Sequence, residues 1–209
     1  MFRALFFSLT IVLISACELV DNQNLTEKAI TEMAKEKKCA INLQTSVEYD
    51  KSKLVIKTDY PFQDKFEEGK FVLDVFKNLK SKGVYYDLIQ LTDPSNGDTT
   101  KIINGTSLKK ANRKRYIFLD DLNKLKKGKR LDFEKIIYNE LALKTLRQPQ
   151  KNLPLVKELS CNGMLFKNLE KEKTVLFRSL FGHYEVVFGY SLKSYDNKIK
   201  YFQVSLRKN

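Results

Sequence analysis

The sequence predicts an α+β protein: antiparallel sheets with helices packed on one face, in the order α-β-β-α-β-β and then α-α-β-β-β. Three observations carry that reading. Residues 41–50 and 184–192 alternate apolar and polar side chains with a period of two, as half-buried strands do. Residues 64–82 instead place Phe66, Gly69, Val72, Leu73, Phe76 and Leu79 at helical spacing, opened by Asp64 and stopped by Gly83. Turn-rich links at 50–53 and 195–198 return the chain beside the strand it has just left. The composition, 43% hydrophobic and 30% charged, is that of a folded chain and argues against disorder.

Taken in order, Asn24-Leu25-Thr26-Glu27 reads as a capping box opening a helix that carries Leu25, Ile30, Met33 and Lys37 and ends before Cys39. Ile41, Leu43, Thr45, Val47 and Tyr49 form the apolar side of the first strand, and 54–58 returns as the second. Tyr60-Pro61 breaks the pattern ahead of the 64–82 helix. A strand over 84–91, a turn-rich loop over 93–98 and a pairing strand over 99–103 complete the first half. The basic stretch 108–130 is ambiguous, with a short strand at 116–119 as one reading. Asp132 caps a helix carrying Phe133, Ile136, Ile137 and Leu141 that stops before Pro149, and Pro154 starts a short helix ending near Asn162-Gly163. The C-terminal part is sheet: 174–181, then 184–192, then 199–207 with Phe202, Val204 and Leu206 inward. No internal repeat is visible.

The N-terminus has a different logic. One positive charge at Arg3 precedes the apolar run 4–14, too short for the roughly 20 residues of a spanning helix and right for an export signal over residues 1–16. Ile14-Ser15-Ala16-Cys17 closes it. This tetrapeptide resembles the lipobox of bacterial lipoproteins, in which an aliphatic residue and two small ones precede a lipid-modified cysteine. The resemblance covers residues 1–17 only and leaves the mature body unassigned. It implies that a diacylglyceryl group joins the Cys17 thiol, that cleavage falls just before Cys17, and that residues 17–24 form a short tether. An ordinary secretory signal with a cysteine at its cleavage site, or a buried apolar helix, is the alternative. Two or more acyl chains hold a protein durably to a bilayer. The seven residues 18–24 reach about 25 Å fully extended, so the body, 25–209, would sit close to the membrane. Its location would be the cell membrane or an outer membrane, outside the cytoplasm. Glu18 is not the Asp that retains some Gram-negative lipoproteins at the inner membrane, which leans toward the outer one. Within the body, two subdomains (25–107 and 108–209) are one possible division.

With Cys17 lipidated, Cys39 and Cys161 remain as a pair. An oxidising compartment allows a disulfide between them, and two separate thiols are the alternative. The formal net charge is +13, and it is unevenly spread. Lys109, Lys110, Arg113, Lys114, Arg115, Lys124, Lys126, Lys127, Lys129 and Arg130 crowd into 22 residues, opposed only by Asp120 and Asp121. One reading is a polyanion-binding surface facing anionic headgroups, an envelope polymer or an acidic protein partner; the other is a solvated Lys-rich face. Nucleic acid is not expected as a partner, because only Tyr116 and Phe118 could stack on bases and the chain is exported.

Catalytic patterns are missing. The single histidine, His183, sits between two predicted strands with Ser179 and Glu185 nearby in sequence, which does not by itself make a nucleophile, base and orienting group. One histidine and scattered cysteines give no zinc-type spacing, and residues 93–98 have oxygen side chains around Gly97 without the rest of a calcium loop. Neither a metal nor a cofactor is expected. The chain therefore reads as a membrane-anchored, non-catalytic binding or accessory lipoprotein of the cell envelope. The alternative is an envelope hydrolase with an unrecognised site near His183.

Overall fold

A computed structural model describes residues 22–92, 99–127, 129, 131, 160–169, 172–181, 184–193 and 195–206. Two antiparallel-dominated four-stranded sheets and three helices make up these residues, an α+β architecture. They divide into two compact units, 22–60 with 74–105, and 61–73 with 106 onward.

In the first unit, helix α1 (residues 22–37) buries Thr26, Ala29, Ile30 and Met33 at i, i+3, i+4 and i+7. Asn24 lies inside this helix, so the expected capping box does not open it. Thr26 Oγ1 donates instead to the Asn22 carbonyl at 2.6 Å, the back-bonding open to a hydroxyl within a helix. An extended tether therefore cannot include residues 22–24. Strands β1 (Ile41–Glu48) and β2 (Lys51–Thr58) are joined by Tyr49 and Asp50, both at positive φ (50° and 57°). That is a two-residue hairpin of the twist-matched type, and it shifts the turn one residue ahead of the expected 50–53.

After helix α2 (Lys65–Ser81), strands β3 (Leu88–Thr92) and β4 (Thr99–Asn104) complete a sheet ordered β1-β2-β3-β4. β2 and β3 pair in parallel, since the crossover between them contains a helix; the other pairs are antiparallel. β3 starts at Leu88 rather than 84, because Val84 is engaged in closing α2. Its N–H bonds the Leu79 carbonyl at 3.0 Å while Gly83 takes φ +78°, the left-handed helix stop. Leu54, Ile56, Ile89 and Leu91 form the inward face of the sheet, with Val75, Phe76 and Leu79 of α2 also fully buried. Ile41 and Leu43 are half-buried, but the alternation along β1 outruns its cover: Val47 is 72% exposed and Tyr49 98%. Ser52 and Asp87 lock the starts of β2 and β3, with Ser52 N–H and Oγ–H both donating to Asp87 Oδ2 at 2.9 Å. Those bonds hold the Asp87 carboxyl below its usual range.

The second unit contains the start of α2, helix α3 (Gly105–Lys126) from Thr106, and strands β5 (Gly163–Leu169), β6 (Glu172–Phe181), β7 (Tyr184–Ser191) and β8 (Tyr201–Leu206). The sheet is an antiparallel meander in sequence order. The expected short strand at 116–119 is instead part of α3, and β5 adds a fourth strand beyond the three expected. Gly163 opens that strand, so no helix ends there. Residues 132–159, where two helices were expected, lie outside the described residues.

The α3 side chain Phe118 stacks on Phe177 of β6, with ring centroids 5.4 Å apart, and meets Phe188 of β7 edge-on at 5.6 Å. On the other sheet face, Phe66 of α2 lies under the Arg178 guanidinium, 4.9 Å from ring to charge. Asp64 caps α2 by accepting from the N–H groups of Phe66 and Glu67, both at 2.9 Å, and also binds Arg178. Burial works against the Asp64 charge, but the Arg178 and backbone hydrogen bonds outweigh it and hold its carboxyl below the usual range. Gly69 is a point of close approach: a Cβ there would lie 2.0 Å from the Met164 carbonyl oxygen.

Neither Cys39, half-buried in the first unit, nor Cys161, buried in the second, is in a disulfide. The disulfide expected as one alternative is not formed in the structure. The Cys161 thiol donates to the Gly163 carbonyl at 3.3 Å.

Candidate functional site

Helix α3 has 22 residues and is about 33 Å long at 1.5 Å per residue. Its buried line is Leu108, Ala111, Lys114, Phe118, Asp121, Leu122 and Leu125. Two of these are charged, and each is satisfied by a residue far away in sequence. Lys114 Nζ, on a residue 5% exposed, donates to the Asp196 carbonyl and to Asn197 Oδ1 at 3.3 Å. Burial pulls its pKa down, against the attraction of Asp196. Asp121 Oδ2 accepts from the hydroxyl of fully buried Tyr190 at 2.9 Å, and Lys124 Nζ reaches Oδ1 at 3.3 Å. Burial pushes the Asp121 carboxyl above its usual range despite those bonds. Burial also drives the Tyr190 hydroxyl far up, with the Asp121 charge adding to it. Lys124 is drawn up chiefly by Asp120, 2.6 Å away.

The ten-residue basic cluster is thus divided. Lys109, Lys110, Arg113, Lys127 and Lys129 are exposed; Lys109 and Arg113 share the outward line of α3 with Tyr116 and Asp120, and Lys127 follows just past the helix end. Lys114 is internal. Arg115 is half-buried, its guanidinium 5.8 Å from the Tyr116 ring. Lys124 is committed to Asp120 and Asp121. The Lys126 side chain and Arg130 lie outside the described residues.

Beside this helix is an open groove of about 660 Å³, lined by Tyr116, Ile117, Asp120, Asp121, Lys124, Asp196, Asn197 and Lys198. Its far wall, residues 196–198, is pinned at several points. Lys198 N–H donates to Asp196 Oδ1 at 2.7 Å, Lys200 Nζ pairs with Asp196 Oδ2 at 3.1 Å, and Lys114 holds the 196 carbonyl from beneath. From the sequence, 195–198 reads as a plain turn and Asp120 and Asp121 as counter-charges. No local signal marks them, because charges at inward positions 114 and 121 break the apolar period that reveals a helix.

The proposed alternatives for chemistry fare as follows. Gly182 and His183 lie outside the described residues, as do Cys17 and 93–98. Ser179 is 1% exposed and pairs in register with Val186, whereas Glu185 is opposite Leu180 and 3.7 Å from Arg178. Successive strand residues face opposite sides of a sheet, so Ser179 and Glu185 are on different faces and do not form one constellation. Among the described residues, no group of three His, Cys, Asp or Glu side chains could hold a metal ion. Among them, too, no helix is long and apolar enough to cross a membrane.

No family model, curated protein or solved structure matches the chain.

Proposed function

We propose that the protein is a lipid-anchored, non-catalytic lipoprotein of the bacterial cell envelope, held by acyl chains on Cys17 and acting as a binding or accessory protein. The observation that carries this reading is the apolar run 4–14 ending in Ile14-Ser15-Ala16-Cys17. The outward line of α3 supports a binding role. Lys109 and Arg113 lie along one exposed side of the helix and Lys127 just past its end, a geometry suited to an extended anionic surface such as headgroups.

The test is the mass of the N-terminal peptide from the full chain expressed in a bacterium, beside Cys17→Ala. A peptide starting at Cys17 and carrying the diacylglyceryl mass, absent from the variant, is the expected result. An intact Met1, or an unmodified Cys17, overturns the proposal. Flotation with anionic vesicles then tests α3: Lys109→Glu with Arg113→Glu and Lys127→Glu should abolish the salt-sensitive part of binding, since exposed charges are screened beyond about 8–10 Å.

A further inference from the structure

We infer that the groove along α3 is a glycan-binding site, taking an uncharged oligosaccharide between Tyr116 and the 196–198 wall. This inference concerns the second unit alone and stands whether or not Cys17 is lipidated.

The volume, about 660 Å³, is that of a small-ligand site, which typically spans roughly 300–1,000 Å³. Charge narrows the ligand. Lys124 and Lys198 leave no positive excess for an anion such as phosphate, because they are offset by Asp120, Asp121 and Asp196. These carboxylates are not open to a cation either, because Lys124 sits 2.6 Å from Asp120 and 3.3 Å from Asp121, and Lys200 sits 3.1 Å from Asp196. A metal ion or an amine would have to displace these partners. An apolar ligand would strip water from a lining made mostly of charged and polar groups, Asp120, Asp196 and Lys198 among them, a desolvation that costs more than it gains.

What remains is a neutral ligand that both donates and accepts hydrogen bonds at close spacing. A sugar hydroxyl does both. Ionised carboxylates in the groove can only accept, Lys124 and Lys198 can only donate, and Asn197 does each through a different atom. The ring of Tyr116, 60% exposed, supplies an apolar plate for the C–H face of a pyranose, as amphipathic aromatics do where one side must be dry and the other wet.

The wall is also built in advance. Lys114 is taken out of water to hold the 196 carbonyl, and the Asp196 side chain is tied at both oxygens. Ordering that need not occur on binding improves affinity for a weak, open site.

The test is titration of the isotopically labelled full chain in detergent micelles with a β-1,4-linked N-acetylglucosamine tetramer and, separately, with maltotetraose, followed by amide NMR. At least one should bind with a Kd no weaker than about 1 mM and shift amides at 116–124 and 196–198. Tyr116→Ala should weaken binding about tenfold or more, and Asn197→Ala several-fold. Asp120→Asn keeps an acceptor oxygen and removes the charge, so it should change affinity by less than about threefold. Tyr49→Ala, an exposed tyrosine on the first unit, should change nothing. The inference fails if neither oligosaccharide binds the folded chain at about 10 mM. It fails equally if Tyr116→Ala binds as the parent does.

Discussion

Replacing Tyr190 by Phe removes one oxygen from the centre of the second unit and tests how Asp121 is tolerated there. Tyr190 is fully buried, and its hydroxyl is 2.9 Å from Asp121 Oδ2. The Phe ring keeps the packing against Phe177, 6.2 Å away, so the loss is confined to the hydrogen bond. A bond to an ionised acceptor contributes about 1.5–3 kcal/mol, and Lys124 still reaches the other Asp121 oxygen. A loss of about 2 kcal/mol at neutral pH follows, read as a fall of about 1 M in the urea midpoint. The pH dependence has a definite sign. The Tyr190 bond favours the ionised carboxyl, so the variant raises the Asp121 pKa further above 3.8. The gap between parent and variant is therefore full above that pKa and narrows as pH falls through it. In an Asp121→Asn background the acceptor is neutral, and Tyr190→Phe should cost only about 1 kcal/mol. Equal costs in both backgrounds, together with equal costs at neutral and acid pH, would refute the coupling between the two residues.

Three further expectations come from the same contacts. Asp64→Ala removes both the α2 cap and the Arg178 partner and should lower stability by at least about 1 kcal/mol in urea at neutral pH. Because the Asp64 pKa lies below 3.8, that contribution is present above 3.8 and disappears as pH falls through the folded value, so the two urea curves should converge in acid. Gly69→Ala should lower the thermal midpoint, since forcing a Cβ to 2.0 Å from the Met164 carbonyl costs about 3 kcal/mol against a helix-propensity gain of about 1. Lys114→Met should leave overall stability within about 1 kcal/mol, because a buried charge is lost along with its bonds, while amide exchange at Lys198 and Lys200 accelerates.

The elements legible in the sequence are those whose local chemistry is complete. Helix α2 has Asp64 as its cap, a run of apolar residues at helical spacing and Gly83 at positive φ as its stop, and the structure uses all three. β7 was legible through the alternation of Tyr184, Val186, Phe188 and Tyr190. β5 was not. Gly163-Met164-Leu165-Phe166 shows no alternation, and its pairing partner is defined only by the register with β6. The apolar spacing of α1 is legible but its start is not, because Asn24 and Glu27 match a capping box that a helix already under way does not use. The first strand alternates through Tyr49, yet periodicity reports which side a residue faces and not how far its cover extends. That is why Val47 and Tyr49 end up in solvent.

Helix α3 is hidden in the sequence by the same residues that give it its chemistry. Its inward line runs Leu108, Ala111, Lys114, Phe118, Asp121, Leu122 and Leu125, and the two charges at inward positions break the apolar period that marks an amphipathic helix. Read locally, Lys114 and Asp121 belong to a basic stretch with weak counter-charges. Read in three dimensions, each is an internal fastening. Lys114 ties α3 to the 196–198 wall 82 residues away in sequence, and Asp121 ties it to Tyr190 at a separation of 69. The polar residues that hide the helix are therefore the ones that fix it beside the groove, and a purely apolar inward line would leave 196–198 without its support. The same division separates the cluster's roles. Lys114 serves the inside of the molecule and Lys124 the groove wall, and Lys109, Arg113 and Lys127 remain for whatever surface α3 meets.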